Sequence, residues 1–216
     1  MREAPPVIHV RPTIRPMNLA ATQSTARIRT AAKRARRSIR DDARTAASAE
    51  IASHIMNSRE FLASRTLACY LHDWDEVDTR AIIERAWCAK KRVFAPVIDR
   101  HGGMRFHALY PETRLEQNQF GLWEPIATSA ISPRELDVVI TPVVAFDDDL
   151  NRIGMGGGHF DRCFAFLRNR KRWLRPKLIG VAFDCQRVEK ITPNPWDVRL
   201  YRIISEAGPV DLPCDK

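Results

Sequence analysis

The residues best suited to chemistry lie between Arg152 and Asp161, where the chain reads Arg-Ile-Gly-Met-Gly-Gly-Gly-His-Phe-Asp. Of the nine glycines in the chain, Gly154, Gly156, Gly157 and Gly158 fall within five residues. Glycine reaches positive φ without steric cost and lets backbone N–H groups approach a ligand closely. A helix starting just after such a run adds free N–H groups and a partial positive charge. The combination suits a phosphate or a carboxylate. It is neither a Walker A loop, since no Lys-Ser or Lys-Thr follows the glycines, nor the G-x-G-x-x-G of a dinucleotide fold. A ligand-free strand-to-helix turn is the alternative, although a mere turn rarely needs four glycines. Asp161 closes the loop. A carboxylate there suits Mg²⁺, which takes one or two carboxylates and completes its shell with phosphate oxygens and water. A first-turn acid complementing the helix dipole is the other reading. Arg152 could neutralise phosphate charge or simply be solvated.

The elements around this loop follow from periodicity. Residues 24–57 are rich in Ala and Arg, lack Gly and Pro, and read as helix, with Asp41 and Asp42 placed to start a second one. The run 66–72 predicts a short buried strand, and 73–78 an acidic loop. Asp78 or Thr79 then caps a helix whose Ile82, Ile83, Ala86 and Trp87 share one face. Residues 92–98 and 104–109 predict strands around a His101-Gly-Gly turn, and 110–134 is rich in loops. The run 136–146 is apolar on both faces, as a central strand should be. A helix is predicted from about His159 to Trp173, then strands at 177–183 and 200–204. Strands alternating with helices indicate an α/β layered fold, αβα, with a mostly parallel sheet. The predicted organisation is one domain over 24–208, flanked by tails at 1–23 and 209–216.

Composition narrows the classes. The chain has 216 residues, 44% of them hydrophobic, enough for a substantial core. No apolar run approaches the roughly 20 residues of a membrane-spanning helix, so no membrane partner is expected. The formal charge of +9 sits entirely in residues 1–40, and the remainder is neutral. A basic helix near Arg27 to Arg40 would give salt-dependent affinity for nucleic acid, but no nucleic-acid-binding motif accompanies it, and nucleic acid is not expected as a partner. Cys69, Cys88, Cys163, Cys185 and Cys214 stand singly, without C-x-x-C or zinc spacing. This points to a reducing, cytoplasmic compartment. Pro5, Pro6, Pro12 and Pro16 spoil any amphipathic targeting helix at the start. A disordered tail, or a true start at Met17, is the simpler expectation.

With these residues in view, the chain resembles the 5-formyltetrahydrofolate cyclo-ligase family, also called methenyltetrahydrofolate synthetase. Residues 141–147 and 152–162 resemble the family's strand, spacer and G-x-G-G-G-Y-Y-D-R signature. Glu76-Val-Asp-Thr79 is similar to its E-[IV]-[DE]-T element, Trp123-Glu-Pro125 to its G-x-x-E-P turn, and 180–186 to its G-x-A-x-x-x-Q strand end. The four elements occur in order over about residues 24–206. The resemblance implies a NagB/CoA-transferase-like fold and an ATP-dependent ring closure of 5-formyltetrahydrofolate to 5,10-methenyltetrahydrofolate, through a phosphorylated formyl group, with release of ADP and phosphate. It implies ATP binding by Arg29 and by Arg152, Ile153, Gly154, Met155, Gly156, Gly157, Gly158, His159 and Phe160. Folate binding falls to Leu71, Glu76 and Met155 to His159, and Mg²⁺ to Asp161. A monomer is expected.

From the residues alone, Glu76 is equally a pterin-binding carboxylate or a solvated loop acid, and Trp123 equally a stacking platform or a core residue. Three departures stand out. The paired tyrosines are His159 and Phe160. A second metal-binding aspartate near the C-terminus falls on Tyr201, with Asp197 four residues before it. The lysine expected four residues before Arg29 is Thr25, leaving Arg27 or Lys33 as substitutes. A sugar-phosphate isomerase or CoA-transferase relative would share the layered fold, but no catalytic glutamate motif of that class is visible.

Overall fold

The computed structural model describes residues 19–168 and 175–210, with side chains from Thr25 onward. The helices are α1 (Leu19–Arg37), α2 (Asp41–Met56), α3 (Arg59–Ala63), α4 (Arg80–Cys88) and α5 (His159–Cys163). The strands are β1 (Thr66–Cys69), β2 (Arg92–Ile98), β3 (Met104–Ala108), β4 (Leu115–Gln117), β5 (Trp123–Pro125) and β6 (Ala130–Ile131). They continue with β7 (Val138–Pro142), β8 (Ala145–Phe146), β9 (Arg152–Ile153), β10 (Lys177–Val181), β11 (Arg202–Ser205) and β12 (Gly208–Val210).

The main sheet runs β12-β11-β10-β7-β1-β2-β3-β6. Its five inner strands, β11, β10, β7, β1 and β2, are parallel, while β12, β3 and β6 join antiparallel at the edges. Side chains alternate between the two faces with the period of two that a strand imposes. Leu67, Cys69, Val138, Ile140, Ile179 and Val181 join a core with Ile51 and Ile55 of α2 and Ile82, Ile83 and Ala86 of α4. Ala68, Val139 and Leu178 face the other way, against Phe106, Phe146, Phe164 and Leu200. The sheet is buried on both sides, and the expected α/β layering holds. Among the described residues no helix is long and apolar enough to cross a membrane.

Several boundaries differ from expectation. The long apolar run does give the central strand, but it leaves the sheet after Pro142, and Ala145–Phe146 instead pairs with Arg152–Ile153 in a separate ribbon. The cause lies outside the run: Gln186 Nε2 donates to the carbonyls of Val143 and Val144, and Val144 N donates to Ile153 O. The helix predicted to reach Trp173 ends at Cys163 and continues as a 3₁₀ turn at Ala165–Leu167, which buries Phe164 completely. Residues 169–174 of that expectation lie outside the described residues. Helix α1 begins at Leu19, inside the expected tail, and β12 carries the sheet to Val210, past the expected end of the domain. Residues 1–18 and 211–216 of the two tails lie outside the described residues.

Candidate active site

Parallel α/β sheets place ligands beyond the carboxyl ends of their strands, and a cleft of about 700 Å³ opens there. Its floor is Tyr70 and Leu71 after β1, Pro96 and Ile98 of β2, and Pro142 of β7. Every residue singled out for ATP, folate or metal lines this one cleft: Arg29, Leu71, Glu76 and the whole of 152–161.

Loop 154–158 leaves β9 and enters α5. Two arginines hold its carbonyls from outside: Arg29 Nε donates to Gly154 O at 2.9 Å, and Arg162 donates to Gly157 O at 2.7 Å. From Gly154 through Phe160 no backbone N–H has a hydrogen-bond partner among the described residues. These residues are half-buried or exposed, so their N–H groups stand open along the cleft wall to water or to a ligand acceptor. Gly156 has φ +109°, which a side chain rarely adopts, and a Cβ at Gly157 would come within 2.5 Å of His159 Nε2. His159 stands where the resemblance implies a tyrosine. Its Nδ1 lies 3.0 Å from Gly102 O, tying α5 to the turn between β2 and β3, and its ring faces Phe120 at 6.4 Å.

Asp161 is less free than its position suggests. Its Oδ1 accepts from Arg152 Nη2 at 2.7 Å and from Val198 N at 3.0 Å. Arg152 is almost completely enclosed, its side chain only 6% exposed; burial lowers its pKa while Asp161 and Asp197 hold it charged. Arg152 is therefore not solvated. Asp197 lines the cleft beside this pair, whereas Tyr201 lies at the amino end of β11, its hydroxyl bonded to Glu60 and Lys177. Tyr201, the position matching the second metal aspartate, does not line the cleft, whereas Asp197 does.

At the other end, loop 73–78 is fixed by arginines from α1 and α2. Arg36 donates to Asp75 Oδ1 at 2.8 Å, Arg37 to Asp75 Oδ2 at 3.1 Å, and Arg44 to Asp75 O at 2.9 Å. This folds Glu76 into the wall with its side chain 11% exposed, 3.6 Å from Arg36 Nη1. Burial raises its pKa, with the Asp73 amide and Arg36 opposing. The solvated-acid reading of Glu76 is excluded. Trp123 is half exposed at the cleft mouth, so it is not a core residue, whereas Glu124 is buried and accepts from Ile98 N and Asn118 Nδ2.

Helix α1 sends Thr25, Arg29, Lys33, Arg36 and Arg37 into the cleft, spaced three and four apart on one face. Arg27 lies on the outer face with Thr30 and Arg34. Of the two candidates for the missing lysine, Lys33 reaches the site and Arg27 does not. Arg36, Asp75, Phe120 and Trp196 were missed from the sequence; the helical spacing from Arg29 is the signal that could have found Arg36.

The model of the 5-formyltetrahydrofolate cyclo-ligase family matches residues 21–206, nearly the whole described fold. The chain belongs to that family. Similar relatives include the 5-formyltetrahydrofolate cyclo-ligase of Haemophilus influenzae, 34% identical over 85% of this chain and 98% of its own length. That of Escherichia coli K12 is 35% identical over 72% of this chain and 86% of its own. Among solved structures, the 5,10-methenyltetrahydrofolate synthetase of Aquifex aeolicus superposes with a TM-score of 0.75 at 22% identity, covering 89% of this chain and 94% of that one. The one from Mycoplasma pneumoniae gives 0.67 at 22% identity, over 84% and 98%. These likenesses establish the cyclo-ligase fold expected from the sequence.

Proposed function

We propose that this cyclo-ligase cleft closes 5-formyltetrahydrofolate to 5,10-methenyltetrahydrofolate at the expense of ATP, releasing ADP and phosphate. The observation that carries the reading is the row of unpaired amides from Gly154 to Phe160, facing the same cleft as the buried carboxylate Glu76. The amides, with Arg29 and the α5 end, bind the nucleotide's phosphates. Glu76 accepts hydrogen bonds from the N–H and amino edge of the pterin, a pairing that favours a carboxylate. Leu71 and the chain from Met155 to His159 contact the folate between them, and Trp123 offers its face to an aromatic ring. The formyl oxygen attacks the γ-phosphorus, and the bond to ADP breaks. N10 then attacks the formyl carbon and loses its proton, and the formyl oxygen departs within phosphate. A formyl oxygen leaves poorly on its own and well as phosphate. Positioning and charge neutralisation are the main protein contributions to such a transfer.

The residues present fit Mg²⁺ under a restricted condition. Among the described residues no group of three His, Cys, Asp or Glu side chains could hold a metal, so an all-protein cage is not built. Asp161, with one oxygen engaged, and Asp197 together suit an ion that takes most of its ligands from phosphate and water. Such an ion would neutralise β- and γ-phosphate charge. Incubating the protein with 5-formyltetrahydrofolate, ATP and Mg²⁺ should produce the methenyl chromophore, with one ADP formed per product. Product formation without ATP, or ATP hydrolysis without product, would contradict the reading.

A further inference from the structure

Among the described residues, one cation of the cleft wall supplied by α1 lacks a hydrogen-bond or ion-pair partner. Arg29 is bonded to Gly154 O, and Arg36 and Arg37 are paired with Asp75. Lys33 lies between them on the same face and makes no hydrogen bond or ion pair among the described residues. It is half-buried, and burial together with Arg36, Arg37 and Arg29 lowers its pKa. Beside it the Nε of Arg36 is buried without a partner. Arg36 and Arg37 hold loop 73–78 through Asp75, whereas Lys33 feels Asp75 only at a distance and has no direct partner of its own among the described residues. The arrangement suits an anion.

The position says which anion. At a helical rise of 1.5 Å per residue, Lys33 stands about 6 Å along α1 from Arg29 and about 4.5 Å from Arg36. Arg29 marks the amide loop and Arg36 marks Glu76. On the function proposed above, the phosphates lie at the first end and the pterin at the second, so the γ-phosphoryl and the formyl oxygen meet between them.

We propose that Lys33 contacts the γ-phosphoryl group during its transfer to the formyl oxygen. In that step a formyl lone pair forms the new P–O bond, and the bond from phosphorus to the bridging oxygen breaks with its electron pair leaving on ADP. Negative charge spreads over the three equatorial oxygens of a loose transition state, and a compact ammonium on a flexible stem can follow them. Lys33 thereby bonds to the group that ATP has and ADP lacks.

The test compares Lys33→Gln and Lys33→Arg with the wild type, by turnover in the methenyl assay and by calorimetric titration with ATP and with ADP. Lys33→Gln should lower kcat by about a hundredfold, the scale of losing one transition-state donor, and should weaken ATP binding while leaving ADP binding near wild type. Lys33→Arg should recover part of the rate. A Gln variant with wild-type kcat, or one that loses ATP and ADP affinity equally, overturns the assignment. Turnover by the wild type is read in the same assay, so failure of the cyclo-ligase reading and failure of the Lys33 assignment give different results.

Discussion

At the scale of single residues, the loop acid has one structural duty and, on the proposed function, a second at the metal, and an alanine substitution would confuse them. Asp161→Ala leaves the enclosed Arg152 guanidinium and the Val198 amide without their acceptor, and breaking a buried pair costs about 3–5 kcal/mol. Asp161→Asn keeps an oxygen for Val198 and removes the charge. The Asn variant should remain folded in thermal melts, with turnover reduced and the Mg²⁺ requirement shifted to higher concentration. Wild-type Mg²⁺ dependence in that variant would remove this carboxylate from metal binding. Glu76 invites the opposite experiment. Its raised pKa means the folded chain holds that proton more tightly than the unfolded one. The stability it contributes is full below the ordinary glutamate value of about 4.3 and is lost as pH rises through the folded value. At neutral pH the buried carboxylate is therefore a net cost to the fold. Glu76→Gln should melt no lower than wild type at pH 7, with any advantage vanishing in acid, yet its KM for the folate should rise about 10-fold to 100-fold, the 1.5–3 kcal/mol of a charged hydrogen bond. The loop glycines were legible from sequence because their demand is local. The state of Glu76 was not, since its burial is imposed by Arg36 and Arg44 some thirty to forty positions away.

At the scale of elements, α1 decides whether the two ends of the site face each other. Ala32 is buried against Val144, Ala145, Ile153 and Ile191, which brings the helix close enough for Arg29 to reach Gly154 O. Ala32→Leu overpacks that seam at a cost of about 1–3 kcal/mol and lifts Arg29 and Arg36 together. Steady-state kinetics should show higher KM for both ATP and folate, whereas a change confined to one substrate would mean that the helix does not act as a unit. Among the described elements, alternation and helical period predicted α1, α2, α4 and α5 and the longer strands β1, β2, β3, β7, β10 and β11, but not the short α3 or the strands β4, β5, β6, β9 and β12. They did not reveal where 136–146 leaves the sheet, because Gln186, some forty positions further on, captures its carbonyls. Nor did they shorten α5, whose apolar residues satisfy a helical period until Phe164 turns into the core.

At the scale of the molecule, five parallel strands point their carboxyl ends at one cleft, and α1 turns Arg29, Lys33, Arg36 and Arg37 of the basic N-terminal segment toward it. A basic segment that resembles a nucleic-acid arm in composition supplies, on this geometry, one wall of the cleft. The layered fold was readable from the order of its elements, and the cleft from the residues that share it. The reach of Lys33 and Asp197 was not, because it depends on the crossing of distant segments. The proposed chemistry depends on unpaired amides gripping phosphate, and amide chemical shifts report on those groups individually. Titrating ¹⁵N-labelled protein with ATP should move the resonances of Gly154, Gly156, Gly157 and Gly158 first and furthest. Saturation by ATP with those four signals unmoved would contradict the central claim.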